Sequence, residues 1–336
     1  MSSEIQSNRR DFLKTAAAGA VVLGAESKIA VAKTVTVKAD ASKVILTQDD
    51  AVRKPDNSID EQRLAKMLDK SMFALTSATV VAEAWKHIVS PGQRISIKVN
   101  TIAGPGLSPH VALVNLVCER LQQAGIKPGD IIIWDRTNRE LQRAGFTIST
   151  DPSRVRCFGT DTPGFGYEEA VESYGSVKTQ FSKILMQHSD GMINMALLKD
   201  HVGAGVTVSM KNMYGVINNP RDQHAKSGNP HVADLNAMPA IRSKMKLTIV
   251  DGLTGVYDGG PSFHPEHAWN FNGLLVSQDP VALDLTAWQI IDRARVQHGL
   301  QTLAATGRPP LYIATAADGS HKLGTDDPKR IALLQV

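Results

Sequence analysis

The stretch from Lys199 to Gly215 gathers residue types that suit chemistry at an anion. His201 and Lys211 flank two glycines, Gly203 and Gly205, directly after an apolar run. We interpret the glycines as a turn at the start of a helix, where free backbone N–H groups and a lysine favour a phosphate or carboxylate. The imidazole of His201, with an ordinary pKa of about 6.5, is a candidate for proton transfer. The alternative is a solvated lysine, since the apolar residues predict a core-facing side opposite Lys211.

Further polar residues follow predicted strands, at the edge of the sheet where open α/β proteins bind ligands. Lys98 and Asn100 end one strand, and Asp135 and Asp251 end two others. Because Lys98 interrupts an apolar strand, either it meets an anionic partner or its strand lies at a sheet edge. The aspartates are candidates for orienting a ligand or binding a metal, with turn formation as the alternative.

These segments predict one main binding site for a small anion. Its candidate catalytic residues are His201 and Lys211. The candidate cofactor-binding residues are Lys98, Asn100, Gly203, Gly205, Asn212 and Asp251.

Histidines and cysteines set the expectations for metals. His224 and His231 lie in a Pro- and Gly-containing segment after Lys211, and neutral imidazoles bind nickel, zinc, copper or iron, so both are candidate metal ligands. The alternative is that they are surface loop residues. The chain has 2 cysteines, Cys118 and Cys157, too few to hold an iron–sulfur cluster without ligands from elsewhere. We interpret both as buried free thiols.

The elements that must position these residues alternate between strands and helices. Apolar runs predict strands at 95–99, 130–134, 191–198, 246–250 and 273–277, and helical periodicity predicts helices at 59–75, 78–88, 109–123 and 280–298. A strand, a helix and a strand in succession imply a parallel crossover. The expected class is therefore α/β, with a parallel or mixed sheet, helices on both faces and two lobes around a cleft as one arrangement.

The amino terminus predicts an export signal. Arg9 and Arg10 precede a short apolar run at 16–25 and a small-residue cleavage pattern at 30–32, an order typical of a twin-arginine signal peptide. We therefore expect residues 1–32 to be the signal, 33–89 an amino-terminal extension with helices, and 90–336 the main domain, with a sub-boundary near 150–185. The protein is expected in the periplasm, or otherwise exported, with the twin-arginine translocation machinery as a partner.

Charge and hydropathy argue against two further kinds of interaction, nucleic-acid binding and a stable membrane span. The 336 residues contain 37 Lys plus Arg and 33 Asp plus Glu without a long basic block, which argues against nucleic-acid binding. The apolar run in the signal is about half the roughly 20 residues that span a bilayer, so no stable membrane span is expected.

Several short motifs together resemble the domain-of-unknown-function family numbered 362. They are Ile97-Lys98-Val99-Asn100, the segment from His201 to Gly215, Ile249-Val250-Asp251-Gly252, Gly260-Pro261 and Asp279-Pro280-Val281-Ala282-Leu283-Asp284. The resemblance covers roughly residues 90–295 and implies an association with redox proteins, because members often carry twin-arginine signals or ferredoxin modules.

A more distant resemblance is to the amino-terminal domain of nickel-dependent lactate racemases. In that family a lysine ten residues after a histidine holds a nickel-containing nucleotide cofactor, and His201 and Lys211 have the same spacing. The segment before Lys211 is Val208-Ser209-Met210, poorer in glycine than in the racemases.

Two functions from different classes fit these observations. One is an enzyme that uses a phosphate-bearing or nickel-containing cofactor on a small carboxylate-type substrate. The other is a noncatalytic binding or assembly protein for a periplasmic redox system.

Overall fold

The centre of the protein is a ten-stranded mixed β-sheet, seen in a computed structural model that describes residues 41–336. The strands in chain order are β1 (Ser42–Gln48), β2 (Ile95–Lys98), β3 (Ile131–Trp134), β4 (Arg156–Cys157), β5 (Glu172–Tyr174), β6 (Val177–Thr179), β7 (Gly191–His201), β8 (Gly205–Thr207), β9 (Met245–Val256), β10 (Ala268–Trp269), β11 (Gly273–Ser277) and β12 (Ile331–Gln335). The order across the sheet is β12-β1-β11-β9-β7-β2-β3-β4, with β10 beside β9 and β8 beside β7. The short strands β5 and β6 pair with each other in a separate sheet.

The crossover pattern predicted from the sequence is present in this sheet. The five strands β9, β7, β2, β3 and β4 are parallel to their neighbours in that series, whereas β11 is antiparallel to β9 and β1. Every residue of β3 is buried, as expected for a parallel strand covered on both faces. The predicted α/β class with a mixed sheet is therefore confirmed.

Helices cover both faces of the sheet. They are α1 (Glu61–Thr76), α2 (Val81–Lys86), α3 (Val111–Gln123), α4 (Asn138–Arg143), α5 (Lys183–His188), α6 (Ser209–Asn212), α7 (His231–Ala237), α8 (Pro239–Arg242), α9 (Pro280–Gln297) and α10 (Tyr312–Ala317). Alternate residues of β3 enter different cores: Ile133 belongs to the core that contains Leu68 of α1 and Val114 of α3, and Trp134 belongs to the core that contains Trp288 of α9. The prediction of helices on both faces is confirmed, and the division into two lobes around a cleft stays a prediction.

The longest buried helix, α9, begins at an Asp-Pro pair. The Asp279 side chain accepts hydrogen bonds from the backbone N–H groups of Val281 and Ala282, both at 2.9 Å. Pro280 occupies the first helical position, where its missing N–H costs nothing. This start places Asp284, one turn further on, inside the core against α6.

The predicted helix start at the glycine turn is wrong. Residues 201–207 form a hairpin in which His201 of β7 pairs with Gly205 of β8, and α6 begins only at Ser209. Gly205 has φ of +80°, and a Cβ there would lie 2.7 Å from the backbone oxygen of Arg308. Gly205 is therefore required because the backbone at Arg308 leaves no room for a side chain. The β-branched residues that follow it, Val206 and Thr207, favour a strand.

The segments outside the main crossover also join the sheet. β1 pairs with β11 and β12, and α1 packs on the same core as β2. Cys118 and Cys157 are buried free thiols, as the sequence predicted. Among residues 41–336 no helix is long and apolar enough to cross a membrane. The predicted signal at 1–32 lies outside the described residues.

Candidate functional site

The ends of β2 and β7 and the short helix α6 meet around one pocket of about 110 Å³. Three lysines, Lys98, Lys199 and Lys211, line it, and we call it the lysine pocket. Five residues predicted from the sequence to form one site line it together: Lys98, Asn100, His201, Lys211 and Asn212. The same edge of the sheet carries the carboxyl ends of the parallel strands, where α/β proteins place ligands.

Lys98 belongs to a buried ion pair. Its Nζ donates to Asp135 Oδ1 and to the carbonyl oxygen of Val99, both at 2.6 Å. The other carboxylate oxygen of Asp135 accepts from the backbone N–H and the hydroxyl of Thr101, both at 2.7 Å. Burial raises the pKa of Asp135, but Lys98 and these hydrogen bonds outweigh it and lower the pKa overall. Because β2 lies between β7 and β3, the anionic partner explains Lys98 and the edge-strand alternative is wrong.

The Lys98 side chain fits because residue 215 has no side chain of its own. A Cβ at Gly215 would lie 2.5 Å from Nζ of Lys98 and 2.7 Å from its Cε. Such contacts are far shorter than van der Waals distance, so any larger residue would displace the lysine or the turn. Gly215 therefore contributes to the site because its lack of a side chain leaves room for Lys98.

The other two lysines are buried without a carboxylate in contact. Lys199 is 0% exposed and Lys211 4% exposed, and within residues 41–336 neither forms a salt bridge. Nζ of Lys199 donates to Asn100 Oδ1 at 3.2 Å, and Nζ of Lys211 lies 3.1 Å from His224 Nε2. The ammonium of Lys211 also sits 3.9 Å from the ring centroid of Tyr214. The interpretation of Lys211 as a solvated lysine is therefore wrong.

Burial shifts both of these lysines towards the neutral form. It lowers the pKa of Lys199 to about 8, and it lowers the pKa of Lys211 to about 7 with a further contribution from the charge of Lys199. A bound anion would reverse the shift because it compensates both charges. Keeping both lysines protonated therefore lowers the free energy of unfolding, and a bound anion would raise it again.

A chain of asparagines fixes the polar floor of the pocket. Asn100 Nδ2 donates to Asn212 Oδ1 at 3.0 Å, and Asn212 Nδ2 donates to Asn194 Oδ1 at 2.7 Å. Asn194 then donates to the backbone oxygen of Ser209 at 2.9 Å. Each bond fixes the orientation of the next amide, so the oxygen of Asn100 must face Lys199.

The imidazole of His201 is held in one tautomer. Its Nδ1 accepts from the backbone N–H groups of Gly203 at 3.0 Å and Ala204 at 3.1 Å, so the proton of the neutral ring is on Nε2. Burial, followed by the charge of Lys211, lowers its pKa to about 3. A neutral ring in this tautomer offers Nε2–H as a hydrogen-bond donor, and the role of His201 in proton transfer stays a prediction. Gly203 and Gly205 shape this hairpin and are not among the residues lining the lysine pocket.

The predicted metal ligands are placed differently. His224 lines the lysine pocket: its Nδ1 donates to the carbonyl oxygen of Pro220 at 2.8 Å, which leaves Nε2 to accept from Lys211. His231 begins α7 and does not line the pocket. In the part of the chain that the structure describes, no group of three or more His, Cys, Asp or Glu residues is arranged to hold a metal ion.

Asp251 lies in a second pocket. Its carboxylate accepts from His110 Nδ1 at 2.8 Å, and both residues line a cavity of about 160 Å³ that we call the histidine pocket. Asp251 is not among the residues lining the lysine pocket. The strand ends thus supply two neighbouring cavities, and the sequence reasoning assigned residues of both to one site.

Comparison with known families matches residues 95–289 to the family described as Domain of unknown function (DUF362). The match covers more than half of the chain. The chain belongs to the DUF362 family. None of the curated proteins matches its sequence.

Among solved structures, this DUF362 chain is similar to a crystal structure of a protein from Thermotoga maritima, a Northeast Structural Genomics Consortium target. The TM-score is 0.37 and the sequence identity 8%, over 72% of this chain. The chain spans 60% of the length of that protein.

Sequence reasoning did not assign several residues that line the lysine pocket, among them Lys199, Arg136 and Thr207. Lys199 follows the apolar run of β7 as Lys98 follows that of β2, so the same signal, a lysine ending an apolar strand, would have found it. Thr207 lines the lysine pocket, and its buried Oγ1 has no hydrogen-bond partner in the described part of the chain. Nothing in the sequence distinguishes Thr207 from other strand threonines.

Proposed function

We propose that this DUF362 protein binds a small multiply charged anion, of the kind a phosphate-bearing cofactor presents, in the lysine pocket. The observation that carries the proposal is the burial of Lys199 and Lys211 without a contacting carboxylate. Burying an ammonium group is costly unless a partner compensates it, so a site with two such groups favours a ligand that brings the missing negative charge.

The charge and donor balance of the pocket supports an anion. Four basic side chains line it, Lys98, Arg136, Lys199 and Lys211, against the single carboxylate of Asp135. Asp135 is occupied by Lys98 and Thr101 and has no oxygen free for the other cations. The hydroxyl of Thr207 and the Nε2–H of His201 add neutral donors, which phosphate oxygens accept well.

The donor set fits a phosphate group better than a nickel centre. Nε2 of His201 carries its proton because two backbone N–H groups occupy Nδ1, so this nitrogen has no lone pair for a metal. Nε2 of His224 already accepts from Lys211. We therefore derive no chemistry from the nickel cofactor of the lactate racemases. Lys199 and Lys211 would hold phosphate oxygens, and Asn100 would position Lys199 for this contact.

Thermal unfolding with inorganic phosphate and ADP at low salt tests the proposal. A ligand at 100 times its Kd should add about 2.7 kcal/mol to the free energy of unfolding of the wild type. Lys211→Met keeps the apolar stem and removes the charged donor, so affinity should fall about 10- to 150-fold, the equivalent of about 1.5 to 3 kcal/mol. The matched control is Lys70→Met, which changes an exposed lysine on α1. Equal binding by all three proteins would refute the anion site and leave the noncatalytic partner for a redox system as the better hypothesis.

We also propose that the chain is exported by the twin-arginine route, from Arg9, Arg10 and the apolar run that follows. Replacing both arginines by lysine keeps the charge but removes the pair that defines the signal. Precursor should then accumulate in the cytoplasm, measured by fractionation and immunoblotting. Undiminished periplasmic protein would rule this route out.

A further inference from the structure

The histidine pocket is lined by apolar side chains, by polar groups and by one pair of ionisable residues. Its volume is about 160 Å³, and it lies between the loop after β2, the start of α3 and residues within β7 and β9. The apolar part of the lining consists of Pro105, Leu107, Pro109, Val111, Ala144 and Leu197. The ionisable part is His110 and Asp251, together at one side.

Asp251 fixes the orientation of the His110 ring. Its Oδ2 accepts from Nδ1 of His110 at 2.8 Å and from the backbone N–H of the same residue at 2.7 Å. Its Oδ1 accepts from the backbone N–H of Leu253 at 3.1 Å. The carboxylate is buried, whereas the His110 side chain is 27% exposed. Nε2 of His110 is the remaining polar position, and among residues 41–336 it has no hydrogen-bond partner.

Two charged side chains surround His110. Asp251 raises the pKa of His110, and this effect exceeds the opposing effects of burial and of Arg53. The Arg53 guanidinium donates to the carbonyl oxygen of Leu253 at 2.9 Å and to Oγ1 of Thr254, a residue that lines the pocket, at 3.0 Å. The shift favours the imidazolium form, in which Nδ1–H is taken by Asp251 and Nε2–H is the donor that remains.

We propose that the histidine pocket binds a small aliphatic monocarboxylate, with Nε2–H of His110 as the donor to its carboxylate. One imidazolium beside Asp251 suits a single negative charge better than a dianion. The apolar side chains of the lining can contact a short alkyl group, and a volume of about 160 Å³ suits one of a few carbon atoms. Binding is proton-linked, because only the imidazolium form pairs with the anion.

This site is distinct from the lysine pocket, although the two are neighbours. Leu197 of β7 lines one and Lys199 of β7 lines the other, and the pairing of β7 with β9 is irregular between these two residues. The loop after β2 contributes Asn100 to the lysine pocket and His110 to the histidine pocket. The proposal therefore goes beyond the anion site and does not depend on it.

Titration calorimetry with acetate, repeated in two buffers of different ionisation enthalpy, tests the proton linkage in the wild-type chain. Above the pKa of His110 we expect uptake of one proton per acetate and about a tenfold loss of affinity per pH unit. Acetamide, neutral and of the same shape, should bind far more weakly. No acetate binding at pH 6, or acetate and acetamide binding equally well, would overturn the proposal.

Variants assign the binding to His110. His110→Gln should lose acetate binding, while His87→Gln, which changes an exposed histidine after α2, should keep it. Lys211→Met should also keep it, so failure of the lysine pocket and failure of this site give different results. If His110→Gln does not fold, imidazole ¹⁵N spectra of the wild type decide: acetate must shift Nε2 of His110, and an unchanged signal refutes the site.

Discussion

Two buried clusters of ionisable groups in this protein are built on opposite principles. In the lysine pocket, Lys199 and Lys211 are buried without a carboxylate in contact. Near the carboxyl terminus, the buried His321 is held by two carboxylates, with Nε2 at 2.8 Å from Asp234 and Nδ1 at 2.8 Å from Asp318. We call the second group the His321 cluster. Lys199 and Lys211 thus have no carboxylate in contact, whereas His321 has two.

The difference indicates what each cluster is for. The His321 cluster ties the segment after α10 to α7, and Asp234 also accepts from the backbone N–H and hydroxyl of Ser176 near β5 and β6. Its groups are all satisfied within the chain, which is what a structural contact requires. The lysine pocket leaves charge uncompensated at the carboxyl ends of strands, which favours a ligand. Whether the buried charges have a partner of opposite charge distinguishes the lysine pocket from the His321 cluster better than the number of charged residues does.

The largest expected effect is the loss of the internal counter-charge in the His321 cluster. Asp234→Asn removes the charge that faces His321 and places an NH₂ group against existing donors. Breaking a buried pair from one side typically costs about 3 to 5 kcal/mol, so we expect a loss of that size in the free energy of unfolding. Urea denaturation measures it, with the exposed Asp222→Asn as the control. A loss below about 1 kcal/mol, the range of surface pairs, would show that the cluster is not structurally important.

The lysine pocket should respond in the opposite direction. Lys211→Met removes a buried charge, so the ligand-free variant should be more stable than the wild type at pH 6, by about 1 to 3 kcal/mol. The folded pKa is lowered to about 7, below that of the unfolded chain, so the penalty is complete below pH 7 and declines as the pH rises. The advantage of the variant should therefore fade between pH 7 and pH 10, as followed by urea denaturation. A destabilised variant at pH 6 would mean that the ammonium is compensated in the free protein.

The sequence predicts the parts of this fold that depend on local pattern. The apolar run at 273–277 forms a strand with the predicted bounds, and the helices predicted to begin at 59 and 280 begin at Glu61 and Pro280. The hairpin at Gly205 could not be predicted locally, because its shape depends on Arg308 and Pro310, about a hundred residues away. The local pattern after Gly203 is compatible with a helix until that contact is known.

The site residues divide in the same way. Lys98 stands out because it interrupts an apolar strand and Lys211 because it follows a glycine-containing turn, and the structure brings them to one pocket. The sequence predicts Asp251 to follow a strand as Asp135 does, but β9 continues to Val256, and Asp251 pairs with His110 in the other pocket. Which strand-end residues share a cavity depends on the order of strands in the sheet and on the loop after β2, and neither is encoded in a local pattern.

The smallest expected effect is the pH response of the His321 cluster. Hydrogen bonds to Asp234 and Asp318 raise the pKa of His321 in spite of its burial, so the folded state holds the proton more tightly than the unfolded chain. The stabilisation is complete below the unfolded pKa of about 6.5 and is lost as the pH rises through the folded value. The change is small because a neutral ring still donates one of its two hydrogen bonds. Urea denaturation of Lys211→Met and of the double variant with His321→Gln, compared between pH 5.5 and 9, isolates this loss because both proteins share the remaining titratable groups. The difference between their free energies of unfolding should shrink as the pH rises, and a difference that does not change with pH would assign the effect to another group.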